Sequence, residues 1–238
     1  MNLNNRIALV TGGATRVGRA LCLELAAAGC AVVVHYHRSR RAAEALVNTL
    51  QRRGGRAAAL QADLTKPAEC RRLIGAAKRA LGRPDILINN AAVFHRRDLR
   101  HTSAADLRAV FDLNLIAPTL LMRYFAAQTD VGRIVNILDQ RIVSNRFDTF
   151  AYSLSKKSLA AATAAAALEL APKCTVNAVA PGPVLLPRRR AAREPAGSIP
   201  LERRPAPSDV AAAALFLLTS DAVTGQVIFT DGGLHLLG

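Results

Sequence analysis

Tyr152 and Lys156 stand four residues apart in a helix-like stretch, so they share one helix face. An ammonium beside a phenol stabilises the phenolate. The pair therefore predicts a Tyr152 acidity shifted down toward the range useful for proton transfer. Alone, such a pair is an ordinary solvated helix face, but a second feature accompanies it. Thr11-Gly12-Gly13-Ala14-Thr15-Arg16-Val17-Gly18 joins a short β-branched run to a helical stretch. A glycine-rich turn there brings backbone N–H groups and the positive end of a helix toward a diphosphate. Gly12 and Gly18 sit where a side chain would block that approach. Arg16 occupies a position where a dinucleotide loop usually has glycine, and an arginine beside a nucleotide can meet a phosphate with two bonds. The next strand-like run ends in His35-Tyr36-His37-Arg38-Ser39. No acidic residue is there to hold a free ribose 2′-hydroxyl, and cations with hydroxyls suit a 2′-phosphate. NADPH is expected over NADH. His35 and His37 share a strand face and admit a metal-ligand reading, but no Cys or carboxylate cluster accompanies them, so no metal is expected.

The elements that must position these groups follow from hydrophobic periodicity. Strands are expected at Arg6–Thr11, Ala31–Tyr36, Arg56–Ala62, Asp85–Asn89, Arg133–Leu138, Thr175–Ala180 and Gln226–Thr230. Helices are expected at about Arg16–Ala28, Arg40–Arg53, Pro67–Leu81, Ser103–Ala127, Phe150–Leu170 and Ser208–Leu218. Pro67 suits a first helical turn, and Ser103 with Asp106 has the pattern of a capping box. Regular alternation with Val, Ile and Leu runs predicts an α/β fold. It is a single doubly wound Rossmann-type domain over residues 1–238, with a seven-stranded parallel sheet and helices on both faces. The Pro- and Arg-rich segment 183–207 is long for a connection and is expected to form a substrate lid.

Composition narrows the classes further. Of 238 residues, 51% are hydrophobic, too many for a charge-extended disordered chain. The apolar run Ala211–Leu218 is far short of the ~20 residues of a membrane span. Cys22, Cys30, Cys70 and Cys174 show no CxxC spacing and read as buried reduced thiols, so a cytoplasmic protein without a leader is expected. The net charge is +15, and 27 of the 32 cations are Arg. Nucleic-acid binding is the class this suggests. The cations are dispersed, however, without an aromatic platform or a known motif. The tightest clusters, Arg188-Arg189-Arg190 with Arg193 and Arg203-Arg204, fall in the lid segment. They read as a solvated loop or as receivers of an anionic substrate tail.

Together with Asn89-Asn90-Ala91 after the fourth strand and Pro181-Gly182 after the sixth, the glycine loop and the Tyr–Lys pair resemble the short-chain dehydrogenase/reductase family over essentially the whole chain. The resemblance implies a hydride transfer at the carboxyl ends of the strands. It implies cofactor contacts from Gly12, Arg16, Val17, Gly18, His35, Tyr36, His37, Arg38 and Ser39, and from Asn90, Ala91, Ala92, Pro181 and Gly182. Asp63 and Leu64 would meet the adenine, Lys156 the nicotinamide ribose, and Asn114 a proton-relay water. Tyr152 would be the proton donor. A homotetramer is implied as well, with the helices Ser103–Ala127 and Phe150–Leu170 packing across two-fold axes and the apolar tail Leu234–Gly238 buried against a neighbour.

One departure redirects the chemistry. The family usually has a serine thirteen residues before the tyrosine, and this chain has Asp139 there. An ionised carboxylate would repel a developing alkoxide, which disfavours ketone reduction. It suits a substrate that takes a proton on nitrogen while hydride arrives on the adjacent carbon. Asp139, Arg16 and the His-Tyr-His-Arg-Ser run resemble the pteridine reductases and the related dihydromonapterin or alternative dihydrofolate reductases. Phe94 stands where that group stacks an aromatic ring on the pterin, and Asn114-Leu-Ile-Ala-Pro118 matches its helix segment. The resemblance implies NADPH-dependent reduction of a dihydropterin or folate-like substrate, the proton coming from Tyr152 or Asp139. Leu186 stands near the position of a hydroxyl residue that usually contacts the carboxamide, and it cannot make that bond. The alternatives are a carbonyl reductase of the same family acting on 3-oxoacyl thioesters, an NADPH-binding sensor, and a basic nucleic-acid-binding protein.

Overall fold

The computed structural model describes residues 1–145, 147–184 and 198–237. Seven strands form one parallel sheet: β1 (Ile7–Val10), β2 (Ala31–Tyr36), β3 (Ala57–Gln61), β4 (Ile86–Asn89), β5 (Gly132–Ile137), β6 (Cys174–Pro181) and β7 (Val227–Thr230). Their order is β3-β2-β1-β4-β5-β6-β7. The winding reverses between β1 and β4, which opens a crevice at their carboxyl ends.

Strand interiors read as continuous apolar runs because both faces are covered. Alternate residues of one strand serve opposite cores. Ala8, Val10, Val32 and Val34 join Leu21, Leu25, Leu46, Leu50 and Leu217 on one face. Those partners lie on α1 (Arg16–Ala27), α2 (Arg40–Arg52) and α7 (Pro207–Thr219). Leu9, Val33, Leu87 and Ile134 join Leu73, Leu121 and Phe125 on the other. These lie on α3 (Pro67–Leu81) and α5 (Ala117–Ala126), with α6 (Phe150–Glu169) supplying Ala167. All four cysteines are buried free thiols, and burial pushes Cys30 and Cys70 up to about 11.

The expected helix Ser103–Ala127 is present in two parts. α4 (Ala104–Phe111) starts at a capping box in which Asp106 N–H donates to Ser103 Oγ and Ser103 N–H donates to Asp106 Oδ2. A single π-helical turn, Asp112–Ile116, then leads into α5. By length and composition Ala104–Ala126 could cross a membrane. Leu121, Met122 and Phe125 are buried in the core against the sheet instead, as in the core helix of a globular fold. Of the expected lid, 185–197 lie outside the described residues, including Leu186, Arg188, Arg189, Arg190 and Arg193. The described remainder is anchored: Ile199 is buried, and Leu201 N–H donates to Gly232 O (3.1 Å).

Candidate active site

The glycine loop at the β1–α1 junction is held from three sides. Gly12 has φ +61°, and its N–H donates to His35 Nδ1 (3.0 Å). His35 Nε2 lies 3.1 Å from Ala62 O, so the ring is the Nε2–H tautomer with both nitrogens engaged. Burial lowers its pKa to about 4, which keeps Nδ1 free to accept. His35 is thus a prop beneath the loop. No ring nitrogen is left for a metal ion, which removes the metal reading of the histidine pair. Asn90 Nδ2 donates to the carbonyls of Thr11 (2.9 Å) and Gly12 (3.1 Å). Asn90 and Ala91 N–H both donate to Thr11 Oγ1. A Cβ on Gly18 would overlap the Gly12 carbonyl oxygen, so that side stays open only to glycine. Arg16 has φ +55°, the left-handed conformation that glycine adopts freely, and this strains a side-chain-bearing residue.

At the end of β2, His37 and Arg38 reach the surface. Across from them, Asp63 accepts from Thr65 N–H (3.2 Å) and Thr65 Oγ1 (2.7 Å), and these bonds hold its carboxyl below the usual range. His37 Nε2 is 4.0 Å and Lys66 Nζ 3.8 Å from the same carboxylate.

The opposite end is built from β5, α6 and the loop after β4. Asp139 caps the short turn Gln140–Ile142, accepting Arg141 N–H at 2.9 Å. Arg141 Nη1 donates to Oδ1 and Oδ2, both at 3.0 Å. Tyr152 OH donates to Asp139 Oδ2 at 3.0 Å. The expected downward shift of Tyr152 is reversed: burial and the Asp139 charge and hydrogen bond hold the phenol well above its ordinary value, opposed only by Arg141. Lys156 Nζ donates to Ile137 O (2.7 Å). Burial brings Lys156 itself down to about 8.

Phe94 is 47% exposed, and its ring meets Tyr152 edge-on at 4.7 Å between centroids, inclined 74°. Ties on both sides hold it there. Val93 is clamped by Asn114, whose Oδ1 accepts Val93 N–H (2.9 Å) and whose Nδ2 donates to Val93 O (3.0 Å). Phe150 N–H donates to Arg97 O (2.9 Å). Asn114 Nδ2 also donates to Ser155 Oγ (3.2 Å), so both amide N–H groups are used from within the π turn. Gly182 packs so closely on Asp231 that a Cβ would lie 2.8 Å from its Cα.

One cleft of about 1280 Å³ runs between the two ends. It is lined by Gly12, Arg16, Val17, Gly18, His35, Tyr36, His37, Arg38 and Ser39, and by Asp63, Leu64, Asn90, Ala91, Ala92 and Phe94. Asp139, Tyr152, Lys156, Pro181 and Gly182 complete this set, and Asn114 lies behind the wall. Sequence reasoning missed Arg96 and Arg141, which also line the cleft, and gave Arg204 only a lid role. Arg141 carries no local motif, since its place depends on the turn that follows Asp139.

A family model described as enoyl-(acyl carrier protein) reductase matches residues 12–235. The chain is 35% identical to a 3-oxoacyl-[acyl-carrier-protein] reductase of Synechocystis sp., covering 98% of each. It is 34% identical to an uncharacterized oxidoreductase of Methylorubrum extorquens, over 98% of this chain and 99% of that one. Among solved structures, it resembles FolM alternative dihydrofolate reductase 1 from Brucella canis complexed with NADP. That likeness has a TM-score of 0.92 and 35% identity, over 99% of this chain and 96% of the other. A blue fluorescent protein from a metagenomic library in complex with NADPH also matches with TM-score 0.92 and 33% identity, over 98% and 99%.

Proposed function

The chain belongs to the short-chain dehydrogenase/reductase family, and from that premise we propose that it reduces a dihydropterin or folate-like substrate to the tetrahydro form. It is an NADP-dependent oxidoreductase. The residues present fit that cofactor: the Gly12–Gly18 cradle would be filled by a single Cβ, and Arg16, Arg38 and Ser39 line the end suited to a 2′-phosphate. Asp63 and Leu64 would border the adenine, Asn90 to Ala92 and Pro181-Gly182 the middle, and Lys156 the nicotinamide ribose. NADPH supplies a hydride when bound. The protein's part is to stack a flat ring on Phe94 and to deliver a proton from the Asp139–Tyr152 pair to ring nitrogen.

The observation that carries the reading is the Tyr152 OH bond to Asp139 Oδ2. A carboxylate where a neutral hydroxyl would serve a ketone repels an alkoxide and accepts N–H groups. The FolM likeness supports the same substrate class. The reductase of Synechocystis favours a second reading, reduction of 3-oxoacyl thioesters, which Asp139 opposes. An NADPH-oxidation assay with dihydrobiopterin, dihydromonapterin, dihydrofolate and acetoacetyl thioester separates the two. Turnover of the thioester alone would overturn the proposal, and equal use of NADH would overturn the 2′-phosphate assignment.

A cytoplasmic homotetramer completes the proposal. Exposed Ile116, Leu154, Leu168, Leu236 and Leu237 supply apolar surface on the helices and tail expected to pair. A monomer in sedimentation would count against it.

A further inference from the structure

We propose that Arg141 is a positioning residue of the proton-delivering pair: it aims Asp139 at Tyr152, counters the charge left when the phenol loses its proton, and braces Phe94. The proposal rests on the reading of Asp139 and Tyr152 as that pair.

Four hydrogen bonds reach the Asp139 carboxylate. Oδ1 takes Arg141 N–H and Nη1, and Oδ2 takes Arg141 Nη1 and Tyr152 OH. These fill about the four lone-pair positions that a carboxylate has. Three of the four come from Arg141, so the orientation of Asp139 is set by that one residue. The guanidinium carbon also lies 5.5 Å from the centre of the Phe94 ring, within cation–π range. Phe94 in turn abuts Tyr152. Arg141 thereby links the proton donor's partner to the stacking platform.

The charge argument follows from the chemistry of the step. NADPH, when bound, would supply the hydride that makes the new C–H bond and would be oxidised to NADP⁺. The Tyr152 O–H bond breaks, an N–H bond forms on the adjacent ring nitrogen, and the phenolate left behind recovers its proton from solvent. At that moment two anions, the phenolate and Asp139, stand one hydrogen bond apart with little exposure. Lys156 Nζ donates to Ile137 O and its ammonium feels the Asp139 charge from a distance, without a hydrogen bond to it. Among the described residues Arg141 is the cation in direct contact with the carboxylate, and the pair is part-buried, at 15% and 13% side-chain exposure. Asp139 acts as the acceptor, and the transferred proton is the phenol's.

The test is a cycle of Arg141→Gln, Asp139→Asn and the double variant in the full chain, with Arg141→Lys for rescue. Arg141→Gln should lower kcat for dihydrobiopterin by on the order of 10- to 100-fold, with the NADPH KM little changed. Arg141→Lys should recover part of it, since charge returns without the fork. Adding Arg141→Gln to Asp139→Asn should cost little more, because no carboxylate remains to be countered. A substrate-free arm uses urea unfolding at pH 7. Arg141→Gln should lower the midpoint and Asp139→Asn should restore it. Multiplicative losses in kcat, a NADPH KM that rises as kcat falls, or a midpoint that the second substitution does not restore would each overturn the proposal. If the wild-type protein turns over no dihydropterin, the substrate reading fails by itself. The cycle is then scored on acetoacetyl thioester turnover, and failure to couple in either arm overturns the role of Arg141.

Discussion

The two ends of the cleft are organised by different physics. At the glycine loop, neutral groups satisfy one another: the Gly12 N–H on His35, Asn90 on two carbonyls, and Thr11 Oγ1 under two N–H groups. Shape is the product there, a cradle defined by absent side chains. At the Tyr152 end, charged groups are drawn out of solvent: Asp139 and Arg141 pair part-buried, and buried Lys156 donates to a carbonyl. Charge is the product there. A defect at the first end should therefore appear in stability and cofactor affinity, and a defect at the second in turnover.

The largest expected effect falls at the charged end. Tyr152→Phe should lower kcat by about 10²- to 10⁴-fold with little change in NADPH affinity. A comparable loss of NADPH affinity, read by cofactor fluorescence titration, would break the division. Next comes the prop beneath the loop. An unfolded histidine takes a proton near pH 6.5, whereas folded His35 resists it to about pH 4. Between those values the unfolded state binds more protons, so stability rises with pH and is lost as pH falls through the window. The total is on the order of 3 kcal/mol. Urea titrations of wild type and His35→Gln from pH 7 to 4 should converge as pH falls. A constant difference would remove the linkage.

Gly18→Ala should cost about 1–3 kcal/mol of stability by overpacking against the Gly12 carbonyl, together with NADPH affinity. If that variant kept its affinity and lost only kcat, the two ends would not be separable. The smallest effect concerns Arg16. Its left-handed backbone costs about 1 kcal/mol that glycine would not pay. Arg16→Gly should leave the unfolding free energy from urea titration within about 1 kcal/mol of wild type while NADPH affinity falls by about tenfold. Unchanged affinity would show that the strain there serves no phosphate.

Much of the fold was legible. The strands are four to eight residues of largely apolar chain, buried except at the edge strands β3 and β7, and the helices carry their own punctuation in Pro67 and the Ser103–Asp106 box. These signals are local, so one sequence suffices to read them. The π turn at Asp112–Ile116 was not legible, because its register depends on what Asn114 clamps across 21 residues. In the site, the glycine positions were readable from sterics, whereas the support that His35 gives the glycine loop from the cleft lining was not. Arg141 was invisible because nothing in the string marks which arginine of 27 turns inward.

The sequence by itself determined the β–α alternation, the glycine cradle, the shared face of Tyr152 and Lys156, and the presence of Asp139 where a serine is usual. Each is a matter of residue type and short-range spacing. Only the tertiary structure decided how those groups are charged. It turned the expected acidification of Tyr152 into the opposite, gave Lys156 to a backbone carbonyl, and supplied Asp139 with a counter-ion. Protonation follows from burial and from neighbours brought together by folding, and neither is written in the spacing of residues along the chain.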